Sequence, residues 1–132
     1  MSLIDAASVA TVGYRAIDSD HDEFVLLVNQ LDAASNADFP LLFQQLLEHT
    51  ERHFAMENQL MADYCFPAET EHKGEHFRLL GEFKQFKGFV DKGLIAFGRS
   101  FVRERLSPWF LLHAKTMDSA LAAHTRMASN AN

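Results

Sequence analysis

Two pairs of donor residues, His53 with Glu57 and His72 with His76, lie four apart inside segments whose apolar residues recur with helical spacing. Residues four apart share one helix face, with Cβ atoms about 5–6 Å from each other, so each pair can reach one ion or two adjacent ions. Both pairs fall on apolar stripes, where an ordinary amphipathic helix carries leucine. His21, His113 and Asp118 fall on the stripes of two further segments. A lone His, or one His-x-x-x-His, reads as a surface residue or a satisfied core residue. Burying five imidazoles and two carboxylates together is costly unless something pairs with them, and a metal cluster supplies that partner.

The same apolar spacing, with its breakers, predicts four helices. The first runs from about Asp20 to Ala34, with Ile17, His21, Phe24, Val25, Val28 and Leu31 on one stripe. Asp38 is the expected cap of the second, with Pro40 tolerated in its first turn. That helix reaches about Tyr64 and carries Phe43, Leu46, His49, His53, Glu57 and Met61 inward. The third starts near Ala68 after a tight Cys65-Phe66-Pro67 connection and reaches about Val90, with His72, His76, Leu80, Phe83 and Phe86 inward. Asp91-Lys92-Gly93 is a turn, and the fourth helix covers roughly Ile95 to Met127. Pro108 interrupts it, so either Ser107 caps a fresh start or the helix continues with a kink. Short connections favour an all-α, up-down-up-down antiparallel four-helix bundle. The expectation is a single domain over 1–132: an N-terminal arm at 1–12, the bundle at 13–127 and a frayed tail at 128–132.

Gly74, Gly81 and Gly88 recur every seven residues on the third helix, far around it from His72. They read as a solvent face; self-association through close approach of a second backbone is the alternative. His49 reads as a polar interior residue near the bundle end, with a hydrogen-bonding partner of the donor set or an alternative ligand as the other readings. His124 shares the face of His113 but lies about 16 Å farther along the axis, and no role is assigned to it.

Composition narrows the partners. The net charge is −6, and the nearest thing to a basic cluster, Arg103 with Arg105, is split by Glu104. Nucleic acid and anionic membrane are therefore not expected partners. No uninterrupted apolar stretch approaches the ~20 residues a membrane span needs. Cys65 is the one cysteine, which suits a reducing compartment. The first residues lack the basic start and apolar run of a secretory signal, and a cytoplasmic protein is expected. Asp118 stands 14 residues from the end of the chain, so no fused signalling domain is expected.

The donor count argues for two ions, because structural zinc takes four ligands and catalytic zinc three plus water. Nitrogen-rich ligation with carboxylates suits iron. No His-Glu-x-x-His run is present, and Glu69-x-x-His72 is the one match to the Glu-x-x-His motif that carboxylate-rich di-iron bundles need on two helices. His113 and Asp118 are five apart, which turns a regular helix about 140° away from one face. Asp118 would then approach from another angle, as a bridging group does, or a local π-bulge would bring it round.

The runs IDSDH, HFAMENQLM, HKGEH and WFLLHAKTMD, within Gly13 to Leu121, resemble the hemerythrin family in its bacterial single-domain form. The resemblance implies an oxo- or hydroxo-bridged pair of iron ions. His72, His76 and His113 would hold one, His21 and His53 the other with an open position, and Glu57 and Asp118 would bridge both. It implies reversible dioxygen binding by a carrier, storage or delivery protein and no enzymatic turnover. A stand-alone oxygen or redox sensor, or an enzyme acting on peroxide or nitric oxide, is the alternative. Phe24, Phe54, Trp109 and Phe110 are placed to line a dry dioxygen pocket. This chain departs from the family pattern at Asn58, where a second Glu is frequent, and at Thr116, where animal members often carry Tyr. It also lacks the Trp that usually precedes the first motif in bacterial members. These changes touch the pocket and the arm but leave the donor set intact.

Overall fold

The computed structural model describes residues 2–129. Its regular structure is entirely helical: α1 spans Arg15–Ala33, α2 Phe39–Asp63 and α3 Glu69–Asp91, and a last rod, α4, covers 95–129. A short 3-10 turn, Ala6–Ser8, precedes them. Consecutive helices pack on one another in antiparallel order. α4 closes the bundle against α1 through the Phe24–Phe110 stack, with ring centroids 4.2 Å apart, and the Arg103–Asp32 ion pair at 2.7 Å. This is the up-down-up-down four-helix bundle that the spacing predicts.

Two turns explain why the chain reverses so tightly. After α3, Gly93 adopts φ +87°, its N–H donates to Val90 O, and Leu94 N–H donates to Phe89 O. After α2, Cys65 takes the same left-handed position at φ +49°, with Cys65 N–H to Ala62 O and Phe66 N–H to Met61 O. Both are Schellman caps, which satisfy the last carbonyls of a helix. Phe66 then packs in the same apolar cluster as Met61.

Three expectations about the helices change. α1 starts at Arg15, five residues before Asp20, because Asp18 reaches back to accept from the N–H groups of Val12 and Gly13 at 2.9 and 3.0 Å. Asp38 does not cap α2: its own backbone is already in the helical region, and the hydroxyl of Ser35 accepts its N–H. Pro40 does sit in the first turn. On α3, Leu79 and not Leu80 is fully buried, since the buried set steps His72, His76, Leu79, Phe83 and Val90. Leu80 and Phe86 are half-buried, Phe86 stacking on Phe101 at 4.8 Å.

α4 neither restarts nor breaks at Pro108. Leu106, Ser107, His113, Ala114 and Ser119 all keep right-handed helical dihedrals. The helix instead widens into π turns at Phe101–Leu106 and Ala114–Asp118. Ser107 N–H bonds back five residues to Val102 O, and its hydroxyl donates to the same oxygen at 2.7 Å. The wider turn precedes Pro108, which has no N–H to contribute. Helix persists through Ser129, past the expected start of fraying at 128; the remainder of that tail, 130–132, lies outside the described residues.

The N-terminal arm lies along α1, where Asn29 exchanges two hydrogen bonds with the backbone of Ile4. Apolar packing divides into two clusters. The larger holds Phe24, Val28, Phe43, Phe83 and Phe101; the smaller holds Ile17, Met61, Phe66 and Leu121. The donor residues occupy the level between them. Gly81 and Gly88 lie on the exposed side of α3, with nothing within 4 Å of where a Cβ would stand, and Gly74 meets only Arg78.

Candidate metal centre

Each helix delivers its donors to one level of the bundle. α1 brings His21, α2 brings His53 and Glu57, α3 brings His72 and His76, and α4 brings His113 and Asp118; all seven are buried. The i,i+4 pairs on α2 and α3 need no special backbone, because both members of each pair share the inward face. The pair on α4 does. Ser119 N–H bonds to Ala114 O, five residues back, and its hydroxyl donates to the same carbonyl. That turn holds one extra residue, so His113 and Asp118 meet on one face with Nε2 and Oδ1 3.0 Å apart.

Two carboxylates are the hubs. Glu57 meets His53 Nε2 at 3.0 Å, His72 Nε2 at 3.2 Å and His76 Nε2 at 3.0 Å. Asp118 meets His21 Nε2 at 2.8 Å, His72 Nε2 at 3.1 Å and His113 Nε2 at 3.0 Å. The donors fall into two groups able to hold an ion, with atoms in each group within 4.8 Å of one another. One contains Glu57, His72, His76, His113 and Asp118; the other contains His21, His53, Glu57 and Asp118. Glu57 and Asp118 belong to both.

Several of these contacts are close without being hydrogen bonds. Glu57 Oε2, His76 Nε2, His113 Nε2 and Asp118 Oδ1 are buried and have no hydrogen-bond partner, although each has an opposite group at 3.0 to 3.1 Å. Buried polar atoms are otherwise almost always satisfied. Lone pairs that converge on common space and not on one another are what a cation needs, and nitrogen with carboxylate oxygen is a donor set iron accepts. The residues present therefore fit a metal cluster.

The charges of the metal-free site balance internally. Burial pushes the Glu57 carboxyl up and the Asp118 charge adds to it, but His53 and His72 outweigh both and bring it down to about 2. Burial likewise opposes ionisation of Asp118, yet the imidazoles of His113, His21 and His72 gathered around it hold it well below the usual carboxylate range. Burial pulls His53 down, but the close Glu57 carboxylate and the hydrogen bond to Asp20 raise it to about 10. His72 rises against burial to about 9 through Asp118 and Glu57. Burial dominates at His76 and lowers it. Metal ions bind imidazole only after such protons leave.

A small, largely apolar cavity of about 10 Å³ borders His21, His53 and His113. Phe24, Phe54, Trp109 and Phe110 line it, together with His21, His53, His113, Asp118 and Thr50. That volume is near the lower limit for one water-sized molecule. Phe54 stacks on His76 at 3.9 Å, and Trp109 stacks on His113 at 4.3 Å. Trp109 Nε1 is tethered to Glu75 Oε2 at 3.3 Å.

Sequence reasoning assigned no partner to four residues. Asp20 accepts from His53 Nδ1 at 2.9 Å, Asn58 accepts from His76 Nδ1 at 3.0 Å, Glu75 holds Trp109, and Thr50 lines the cavity with its hydroxyl donated to Leu46 O. Asp20 and Asn58 each neighbour a donor in sequence, but a chain neighbour points elsewhere on its own helix, so only the tertiary fold reveals the partner. His49 stays outside these two groups and gathers instead with Asp20 and Glu23 near the surface, its Nε2 donating to the backbone carbonyl of Asp20 at 3.1 Å. His124 donates to Tyr64 O and ties α4 to the end of α2.

Comparison with known proteins agrees with this geometry. The family model described as Hemerythrin HHE cation binding domain matches residues 12–124. A bacteriohemerythrin of Ralstonia nicotianae is 35% identical over 118 residues, covering 89% of this chain and 85% of the relative. A bacteriohemerythrin of Aquifex aeolicus is 33% identical over 126 residues, covering 91% and 95%. A myohemerythrin of Riftia pachyptila is 28% identical over 112 residues, covering 81% of each chain. No solved structure matches the chain.

Proposed function

The chain belongs to the hemerythrin family, and from that premise we propose that it binds dioxygen reversibly at two iron ions held inside the bundle, as a carrier, store or delivery protein. His72, His76 and His113 would hold one ion and His21 and His53 the other, with Glu57 and Asp118 shared between them. The observation that carries this reading is the sharing of Glu57 and Asp118 between two donor groups, beside an apolar cavity bordered by His21, His53 and His113. When bound, an iron pair would supply the two electrons that reduce dioxygen as it binds and would take them back as it leaves.

The chain's own residues do the rest. The two bridging carboxylates neutralise much of the buried cationic charge, whose desolvation is otherwise prohibitive. Phe24, Phe54, Trp109 and Phe110 keep water from the open position next to His21 and His53. Binding is favoured over turnover because the cavity lining offers no free acid or base beyond the donors themselves; the Thr50 hydroxyl is engaged by Leu46 O. The lone Cys65 suits a reducing cytoplasm, and no helix among the described residues is long and apolar enough to cross a membrane.

Stopped-flow mixing of the anaerobic ferrous protein with dioxygen tests the reading. A charge-transfer band that persists and then vanishes on deoxygenation supports carriage. Immediate decay to the ferric form favours sensing or turnover, and less than one iron per chain after iron-replete growth removes the reading altogether.

A further inference from the structure

Two of the imidazoles have outer nitrogens with chemically different partners. His53 Nδ1 donates to the carboxylate of Asp20 at 2.9 Å, and His76 Nδ1 donates to the amide oxygen of Asn58 at 3.0 Å. The distances are nearly equal, so geometry does not distinguish them; charge does. A carboxylate draws the Nδ1 proton toward itself and makes the opposite Nε2 a stronger electron donor, whereas a neutral amide does so less. The Asp20 backbone is tied to α2 as well, since His49 donates to its carbonyl at 3.1 Å. The two partners also fall on different halves of the site. His53 belongs to the group with two imidazoles, and His76 to the group with three.

We propose that Asp20 and Asn58 are positioning residues that offset the unequal imidazole count of the two halves, the carboxylate strengthening the two-His half and the amide leaving the three-His half unstrengthened. The inference rests on the two-iron reading above. Its consequence is that the two ions have closer one-electron reduction potentials than ligand number alone would give them. A carboxylate at both positions, or an amide at both, would undo that match.

The isosteric exchanges Asn58→Asp and Asp20→Asn test this with little disturbance of packing. Asn58→Asp should shift the mean potential of the iron pair to more negative values, and Asp20→Asn should shift it to more positive values. Both should nevertheless widen the separation between the two one-electron steps, and the double exchange should widen it most. A residue that acted only by holding the fold together would not move the mean in opposite directions while widening the gap in both variants. The zinc-loaded protein gives a redox-silent check by NMR: the His53 Nδ1 proton should resonate downfield of the His76 Nδ1 proton, and Asn58→Asp should move the His76 signal alone downfield. Protein that takes up two metal ions per chain yet keeps its separation and its proton shifts in both variants overturns this inference and leaves the parent reading standing. Protein that takes up no metal overturns the parent reading, and this one with it.

Discussion

His113 Nε2 and Asp118 Oδ1 lie 3.0 Å apart although the residues stand five positions apart along α4. A π turn makes this contact, and through it Asp118 becomes the meeting point of His21, His72 and His113. Replacing Asp118 by Asn keeps the shape and removes the charge. Three imidazoles would then face a neutral amide, and a buried cation pair would lose one of its two shared counter-charges. The expected outcome for Asp118→Asn is iron content at half the parent level or below, with helix content by circular dichroism unchanged. Full iron loading in this variant would show that Glu57 alone can bridge the site.

Phe24 stacks on Phe110 and both line the cavity beside His21 and His53. Trimming Phe24 to Ala opens that wall to water, and so does Trp109→Ala on the other side. Each should shorten the lifetime of the oxygenated protein, read as the decay of its charge-transfer band. Phe24→Ala should also cost about 3–5 kcal/mol of stability, as large-to-small core changes of this kind do. Glu75→Gln supplies a milder probe, because it weakens the tether on Trp109 without removing the ring. If both truncations lose stability but keep the parent autoxidation rate, the aromatic residues are core and nothing more.

The donor set was legible because it breaks a pattern. Polar residues at Leu-like positions stand out on an amphipathic stripe, and spacings of four put His53 with Glu57 and His72 with His76 without reference to tertiary structure. The buried faces of α1 and α2 follow from the same periodicity, and all six stripe residues expected on α1 are buried. Backbone exceptions carry no such signal. Cys65 occupies a left-handed cap that residue type would assign to Gly, and the widened turns of α4 keep dihedrals close to those of a regular helix. Asp20, Asn58 and Glu75 work across helix interfaces, so their partners follow only from packing.

The glycines illustrate the same limit and give a test. The seven-residue series on α3 draws the eye, yet Gly81 and Gly88 stand in open space, whereas the unremarked Gly98 packs where α4 meets Val90 and Phe39. A Cβ at Gly98 would lie 2.5 Å from Val90 Cγ2 and 2.8 Å from Phe39 Cε1. Gly81→Ala and Gly88→Ala should each raise stability by about 0.5–1 kcal/mol, the ordinary gain in an exposed helix interior. Gly98→Ala should instead cost about 1–3 kcal/mol through overpacking. Denaturant unfolding measures all three. Gly81→Leu should leave hydrodynamic size unchanged if that face meets solvent, and a loss of dimer there would reassign it to self-association.

The charge balance of the metal-free site predicts a stability profile with two limbs. His53 is raised from 6.5 to about 10, so its contribution is complete below pH 6.5 and disappears as the pH rises through 10. Glu57 is lowered from 4.5 to about 2, so its contribution is complete above pH 4.5 and disappears as the pH falls through 2. The thermal midpoint of metal-free protein should therefore peak between pH 4.5 and 6.5, declining on the alkaline side over the His53 window and on the acid side over the Glu57 window. Loaded protein should behave differently. A metal-bound imidazole carries no proton at Nε2, so the alkaline decline should vanish, while the acid limb should move to higher pH as protons compete with the metal for nitrogen. His53→Gln should make the alkaline limb of the metal-free profile shallower, leaving the share that His72, raised to about 9, contributes. An alkaline limb that keeps its full slope in this variant would mean that the stabilising proton sits elsewhere in the cluster, with His72 the next group to test.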